Sequence, residues 1–317
     1  MPDRDDAMYE AAVRYYLQHE TMDAIGRQLR MSRSSVSRLL SRARETGLVQ
    51  ITVAASTPGS QTARRLAAEL GVRVHLASAG DASPTERLDR VSRLAASLLQ
   101  RTVRDHQVVG AAWGVTVSRV VQHLAPTPRR GVTVVQLNGG SHGQAPDSPQ
   151  VGALLASLGA ALDAPVVPFP VPAFFDYAAT RQAMWRERSV RQVLDLQRRA
   201  DLAVFGVGCF HGAVPSHVYA GGYLDADELA RLEAEGAVGD VCTVLLREDG
   251  SWADIPGNDR ATGLSPDDLR QVPTRVCVVA DPLRVPALAG ALRAQVVTDL
   301  VCDDATAAAL ADRLGLG

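Results

Sequence analysis

Residues 21–45 read TMDAIGRQLRMSRSSVSRLLSRARE, two helical patterns separated by a short turn. In the second pattern Val36, Leu39, Leu40 and Ala43 recur at i, i+3, i+4 and i+7, one apolar stripe that turns inward. The opposite face carries Ser34, Ser37, Arg38, Ser41 and Arg42. Ser32 is placed to cap the start of this helix and Gly47 its end. Upstream, Met22, Ile25 and Leu29 mark the first helix of the pair, with Thr21 as its N-cap, and Tyr9, Val13, Tyr16 and Leu17 mark an earlier helix. Three helices with a short turn before the last fit helix-turn-helix geometry. Arg30 stands in the turn, where a glycine would adopt positive φ at little cost.

The charge of this stretch points the same way. Arg27, Arg30, Arg33, Arg38, Arg42 and Arg44 lie between Asp23 and Glu45 with no acidic residue among them, in a chain whose formal charge is only -2. Small hydroxyls beside guanidinium forks allow a helix to approach a nucleic-acid groove, hydrogen-bond phosphates and reach base edges. The expected DNA-contacting residues are Arg27, Arg33, Ser34, Ser35, Ser37, Arg38, Ser41 and Arg42. The segment LVQITV at 48–53 alternates as a strand does, so a small wing is expected.

With 317 residues, 46% of them apolar, the chain can build two domains and a sizeable core. No apolar run approaches the roughly 20 residues of a membrane span, and MPDRDDAMYE is not signal-like, so a cytoplasmic protein without membrane contact is expected. Cys209, Cys242, Cys277 and Cys302 are far apart and read as buried free thiols, with no metal-ligand spacing. All 33 basic residues are Arg. Schiff-base chemistry on lysine is therefore excluded, and anion recognition falls to guanidinium, backbone N–H or His.

The small, polar stretch AASTPGSQT at 54–62 reads as a linker. The expected domains are thus residues 1–54, a linker at 55–62, and an effector domain at 63–317. Strand-like and helix-like segments alternate in the latter, giving a doubly wound α/β fold with a mainly parallel sheet. Strands are expected at 72–77, 108–114, 132–137, 202–208, 241–246, 276–280 and 297–302, and helices at 85–104 and 115–124 among those between them. WGVT (113–116), NGGSHG (138–143) and GVGCFHG (206–212) each follow a strand. Such loops gather helix N-termini and N–H groups at the carboxyl edge of an open sheet, where ligands bind.

These pieces, in order, resemble the SorC family of bacterial transcriptional regulators, also called the SorC/DeoR type with a sugar-binding domain. The resemblance covers nearly the whole chain. It is carried by MSRSSVSRLLSRARETGLVQI, GAAWGVTVSRV, VVQLNGG, GVGCFHGAVPSHVYAGGYL, GAVGDVCTVLL, GNDRATGLSPDDL and DDATAAALADRLGL. It implies an effector domain related to glucosamine-6-phosphate deaminases and ribose-5-phosphate isomerases, reused as a sensor, and dimers or tetramers on double-stranded operator DNA. It also implies effector loops at Trp113 to Ser118 and at Asn138 to His142, an acidic residue at Asp240, and a late basic residue at Arg284. In the family that last position is commonly Lys in an AGGxxK-like loop; here the glycine pair is lost and Asp281 and Pro282 precede the Arg.

The expected effector site is Trp113, Gly114, Thr116, Asn138, Gly139, Gly140, Ser141, Gly208, Asp240, Arg260 and Arg284. Gly139, Gly140 and Ser141 would offer N–H groups and a hydroxyl to an anion. Arg260 and Arg284 would supply countercharge, although Arg260 could equally pair with Asp259. His142, His211 and His217 read as packing residues. The expected function is regulation of a carbohydrate or polyol operon by a sugar phosphate, sugar or polyol, with no cofactor and no catalysis. The competing reading is a sugar-phosphate isomerase or deaminase-like enzyme carrying a DNA-binding domain. Such chemistry needs a positioned acid–base pair, and the loops supply Asp240 without a carboxylate partner.

Overall fold

A computed structural model of the chain describes residues 4–18, 20–49, 58–140, 151–212, 216, 219 and 222–316. It divides into two compact units, Met1–Ser56 and Thr57–Gly317.

In the first unit, α1 (Arg4–Ala12) runs into a π-helical turn (Val13–Leu17), followed by α2 (Met22–Leu29) and α3 (Arg33–Glu45). Met8, Ala11 and Ala12 pack with Ile25 against Val36, Leu39, Leu40 and Ala43. The inward stripe of α3 is therefore the expected one. That of α1 is set one position earlier than the aromatic pattern suggested: Tyr9 is 60% and Leu17 74% exposed. Thr21 and Ser32 cap α2 and α3 through bonds from Ala24 N and Ser35 N, both 3.2 Å.

Arg30 closes α2 in the left-handed region, at φ 54°. The chain then folds back so that Met31 N donates to Gly26 O at 2.8 Å. A Cβ on Gly26 would come within 2.8 Å of Met31 O, so the glycine this motif requires lies inside α2, not in the turn. Gly47, at φ 76°, follows α3, and Val49 N returns to Ala43 O. The expected wing lies almost wholly outside the described residues.

The second unit opens with α4 (Pro58–Leu70). Residues 58–62, expected in the linker, are its first turn; Pro is at home there, where its missing N–H is not needed. Residues 54–57 lie outside the described residues. Seven parallel strands follow in the order β1 (Arg73–Ala77), β10 (Asp299–Asp303), β9 (Thr274–Val279), β5 (Leu202–Phe205), β2 (Val108–Ala111), β3 (Thr133–Gln136) and β4 (Val166–Val167). Alternate residues of one strand enter different cores. Leu202 and Val204 pack with Val91, Val117 and Leu155; Ala203 and Phe205 pack with Leu66, Val193, Leu288 and Leu310. Burial on both faces is what a doubly wound parallel sheet requires, and the helices that supply it include α5 (Pro84–Thr102), α6 (Val115–Gln122) and α7 (Val151–Leu162) on one side.

The segment 202–208 is two strands, β5 and then β6 (Val207–Gly208). β6 pairs antiparallel with β7 (Ala237–Val241), and β7 with β8 (Val244–Arg247). The single strand expected at 241–246 is thus a hairpin. Its turn residues, Cys242 at φ 50° and Thr243 at φ 70°, have the left-handed backbone of a tight hairpin turn but none of its usual Gly or Asn.

Candidate functional site

From β2 the chain passes through α6 to β3 on one side, while β5 leads to β9 on the other. The carboxyl ends of β2 and β5 therefore form a topological switch point, where open α/β sheets bind ligands. A cavity of about 520 Å³, counted with its open mouth, lies there. Trp113, Gly114, Thr116, Asn138, Gly208, Asp240 and Arg284 all line it, together with Val115, Ser216, Cys242 and Thr243. Seven of the expected residues converge.

One set of lining residues suits an anion. Gly114, at φ 157°, turns the chain into α6, and the first N–H groups of a helix have no acceptor within it. Thr116 adds a hydroxyl beside them. Arg284 sits in a 3-10 turn after β9, with Nη1 donating to Val207 O at 2.6 Å and Ser216 Oγ at 3.2 Å, and Nε 3.8 Å from Asp281. Its charge is kept at the cavity wall by these contacts.

A second set suits hydroxyls. Asp240 is 4% exposed; its carboxylate accepts Tyr219 Oη at 2.7 Å and Thr243 N at 2.8 Å. Burial pushes its affinity for a proton up, opposed by these two bonds and by Arg284. Asn138 Oδ1 accepts Trp113 N at 3.2 Å, and the Trp113 indole N–H donates to Gly139 O. Among the described residues Thr243 Oγ1 is buried without a hydrogen-bond partner.

Several expected residues are placed elsewhere. Gly139 N donates to Thr262 Oγ1 at 3.2 Å and Gly140 N to Val171 O at 2.7 Å, so neither N–H is available to an anion. Gly139 is there for space: a Cβ would strike Pro172 O. Arg260 does not line the cavity and its partner is not Asp259; Nη2 meets Glu228 Oε1 at 2.7 Å. His211 is exposed and pairs with Glu233 at 2.7 Å. Ser141, His142 and His217 lie outside the described residues. Sequence reading missed Ser216, Tyr219 and Thr243. Only the apolar run around Cys242 hinted at the last, and only had the hairpin been seen.

The four cysteines are buried free thiols. Burial pushes Cys277 up to about 12 and raises Cys209, Cys242 and Cys302 as well, which makes them poor nucleophiles. Among the described residues no cluster of His, Cys, Asp or Glu could hold a metal, and no helix is long and apolar enough to cross a membrane.

In the first unit Arg27, Arg33, Ser34, Ser37, Arg38 and Arg42 are exposed, and Ser35 and Ser41 half-buried. Arg38 Nη2 donates to Ser35 Oγ and Arg44 Nη2 to Ser41 Oγ, each at 3.3 Å. Among the described residues, none of the six arginines of this stretch has a carboxylate within ion-pair distance, whereas Arg14 in the same unit meets Glu10 at 2.7 Å. The helix presents bare positive charge.

The Sugar-bind family model, a sugar-binding domain, matches residues 59–311, and a helix-turn-helix domain model matches residues 10–51. The chain belongs to the SorC-type sugar-binding transcriptional regulators. It is similar to the deoxyribonucleoside regulator of Bacillus subtilis, 29% identical over 96% of this chain and 97% of that one. It is also similar to the sorbitol operon regulator of Klebsiella pneumoniae, 24% identical over 92% of this chain and 93% of that protein. A solved domain of a possible sugar-binding transcriptional regulator from Arthrobacter aurescens is 40% identical, with a TM-score of 0.74 over 81% of this chain and 99% of the domain. The full-length SorC structure from Klebsiella pneumoniae shares the fold, with a TM-score of 0.77 at 23% identity over 98% and 99% of the two chains. As a SorC-type regulator, the chain is a DNA-binding transcription factor with an α/β sugar-binding domain.

Proposed function

We propose that this regulator controls a carbohydrate or polyol utilisation operon from the cytoplasm, as a dimer or tetramer on double-stranded operator DNA. Relatives named for the sorbitol operon, erythritol catabolism and deoxyribonucleosides support the class of operon. Arg27, Arg33, Ser34, Ser35, Ser37, Arg38, Ser41 and Arg42 hold the DNA. The effector is a sugar phosphate, sugar or polyol in the switch-point cavity. Its hydroxyls face Asp240 and Asn138, and an anionic group faces Thr116, the first N–H groups of α6 and Arg284. It controls DNA affinity by binding two states of the protein unequally.

The observation that carries the reading is the pairing of a buried carboxylate with a helix N-terminus and a guanidinium in one cavity. A sensor is favoured over an enzyme because the described lining residues include one carboxylate, Asp240, while isomerisation needs a positioned acid–base pair. Thermal shifts against 2-deoxyribose 5-phosphate, glucose 6-phosphate, sorbitol and erythritol test it. A ligand at 100 times its Kd stabilises by about 2.7 kcal/mol, and Arg284→Ala should abolish the shift for phosphorylated ligands only. Shifts confined to neutral polyols would overturn the assignment of the anion-binding set; turnover of a sugar phosphate would make the cavity catalytic.

A further inference from the structure

Among the described residues Asp240 is the one carboxylate in the cavity lining, and no cation stands within ion-pair distance of it. Its two oxygens are held by neutral donors: Tyr219 Oη on Oδ1 at 2.7 Å and Thr243 N on Oδ2 at 2.8 Å. The fold accepts strain and close contact to keep this arrangement. Thr243 presents its N–H from φ 70°, a region β-branched residues avoid. Gly208 lies opposite Asp240 in the β6–β7 register, and a Cβ there would collide with Oδ1. The Tyr219 ring is fixed against Phe210, with centroids 4.7 Å apart.

We propose that Tyr219 is a positioning residue that keeps the Asp240 carboxylate ionised and aimed into the cavity, ready to accept hydrogen bonds from effector hydroxyls. The proposal rests on the reading of the cavity as the effector site. Its chemistry is direct. A buried carboxyl tends to keep its proton, and a donor on the charged form opposes that tendency. Tyr219 can serve as a lasting donor because burial and Asp240 hold its own proton far above the ordinary phenol range. Among the described residues the other groups facing Asp240 are Cys209, Cys242 and Arg284, the last paired with Asp281. Burial holds both thiols neutral, and the guanidinium is a fixed charge.

Two consequences separate positioning from mere packing. In the folded protein Asp240 binds its proton more readily than in the unfolded chain. The stability this contributes is present at low pH and lost as pH rises from the ordinary aspartate value through the raised one. Tyr219→Phe keeps the ring and removes the donor, so the loss should extend to higher pH. Asp240→Asn should remove it, with or without Tyr219→Phe. Unfolding midpoints of the full-length wild type, both single variants and the double variant, taken from about pH 4 to about pH 8, read this cycle. A Tyr219→Phe profile superimposable on the wild type's would overturn the proposal, as would a Tyr219→Phe change that persists in the double variant.

Calorimetry with 2-deoxyribose 5-phosphate and sorbitol supplies the second arm. For whichever of these the wild type binds, Tyr219→Phe should weaken affinity roughly tenfold, the loss of a hydrogen bond to a charged group, and increasingly so as pH falls. Unchanged affinity at every pH overturns the positioning role. Wild-type affinity in Asp240→Asn would instead sink the effector reading of the cavity, leaving the ligand-free pH result to judge the clamp on its own.

Discussion

The arginines of residues 21–45 and the ion-paired arginines of the α/β unit are the same side chain in opposite circumstances. On α2 and α3 they stand exposed with no carboxylate in reach among the described residues. In the second unit Arg73 holds Asp299 at 2.6 Å, Arg87 faces Asp303 at 3.6 Å, Arg260 holds Glu228 at 2.7 Å, and Arg313 joins Glu248 at 2.5 Å. Since the chain has no lysine, the contrast cannot come from residue choice. It comes from what surrounds each guanidinium: a paired one holds a fold together, and an unpaired one is free to meet an external polyanion. Arg284 stands between these classes, fixed by carbonyl and hydroxyl contacts at a cavity wall.

The contrast makes the two sets respond differently to substitution. The largest effect should come from Asp303→Ala. Asp303 is fully buried, caps α13 (Asp304–Arg313) through Ala305 N and Thr306 N, and faces Arg87, which is itself mostly buried. Removing it uncaps a helix and strands a buried charge, a loss of about 3 kcal/mol or more in chemical denaturation. A loss below about 1 kcal/mol would show that Arg87 is not structurally committed.

Asp299 gives a smaller, pH-dependent signal. Burial alone would raise its proton affinity, but bonds from His75, Arg73 and Thr298 overcome that and hold it well below the ordinary aspartate range. A depressed acid contributes stability above its unfolded value and loses it as pH falls. Stability should therefore decline on acidification below about pH 4, and Asp299→Asn should flatten that decline. An unchanged acid limb would mean that the bonds from His75, Arg73 and Thr298 do not hold the carboxylate ionised in the folded protein. The smallest effect is a gain. Arg30→Gly relieves a left-handed backbone at φ 54° and should stabilise the first unit by about 1 kcal/mol, seen as a raised unfolding midpoint; a drop would mean that the Arg30 side chain does more than the backbone geometry shows.

The helix-turn-helix was legible because its evidence is local: a 3.6-residue stripe and caps at Thr21 and Ser32 lie within one stretch of sequence. Most strands of the α/β unit were legible for a similar reason, as short apolar runs bounded by small residues; β4, with only Val166 and Val167, was too short to stand out. What escaped was set by distant partners. Gly139 and Gly140 look like an anion cradle until Thr262 and Val171 take their N–H groups. Arg260 looks like countercharge until Glu228 takes it. The β7–β8 hairpin was hidden because Cys242 and Thr243 hold a turn that sequence reading assigns to Gly or Asn. Tyr219 reaches Asp240 across 21 positions, and nothing local marks that approach.

The central claim is that the unpaired arginines of α3 are the DNA-binding surface. It is tested most directly by the salt dependence of binding to a duplex carrying the regulator's own promoter, for wild type and for Arg38→Ala with Arg42→Ala. The account predicts that log–log slope falls by about 1 for each arginine removed, while stability changes by less than about 0.5 kcal/mol. An unchanged slope and affinity in the double variant would contradict it.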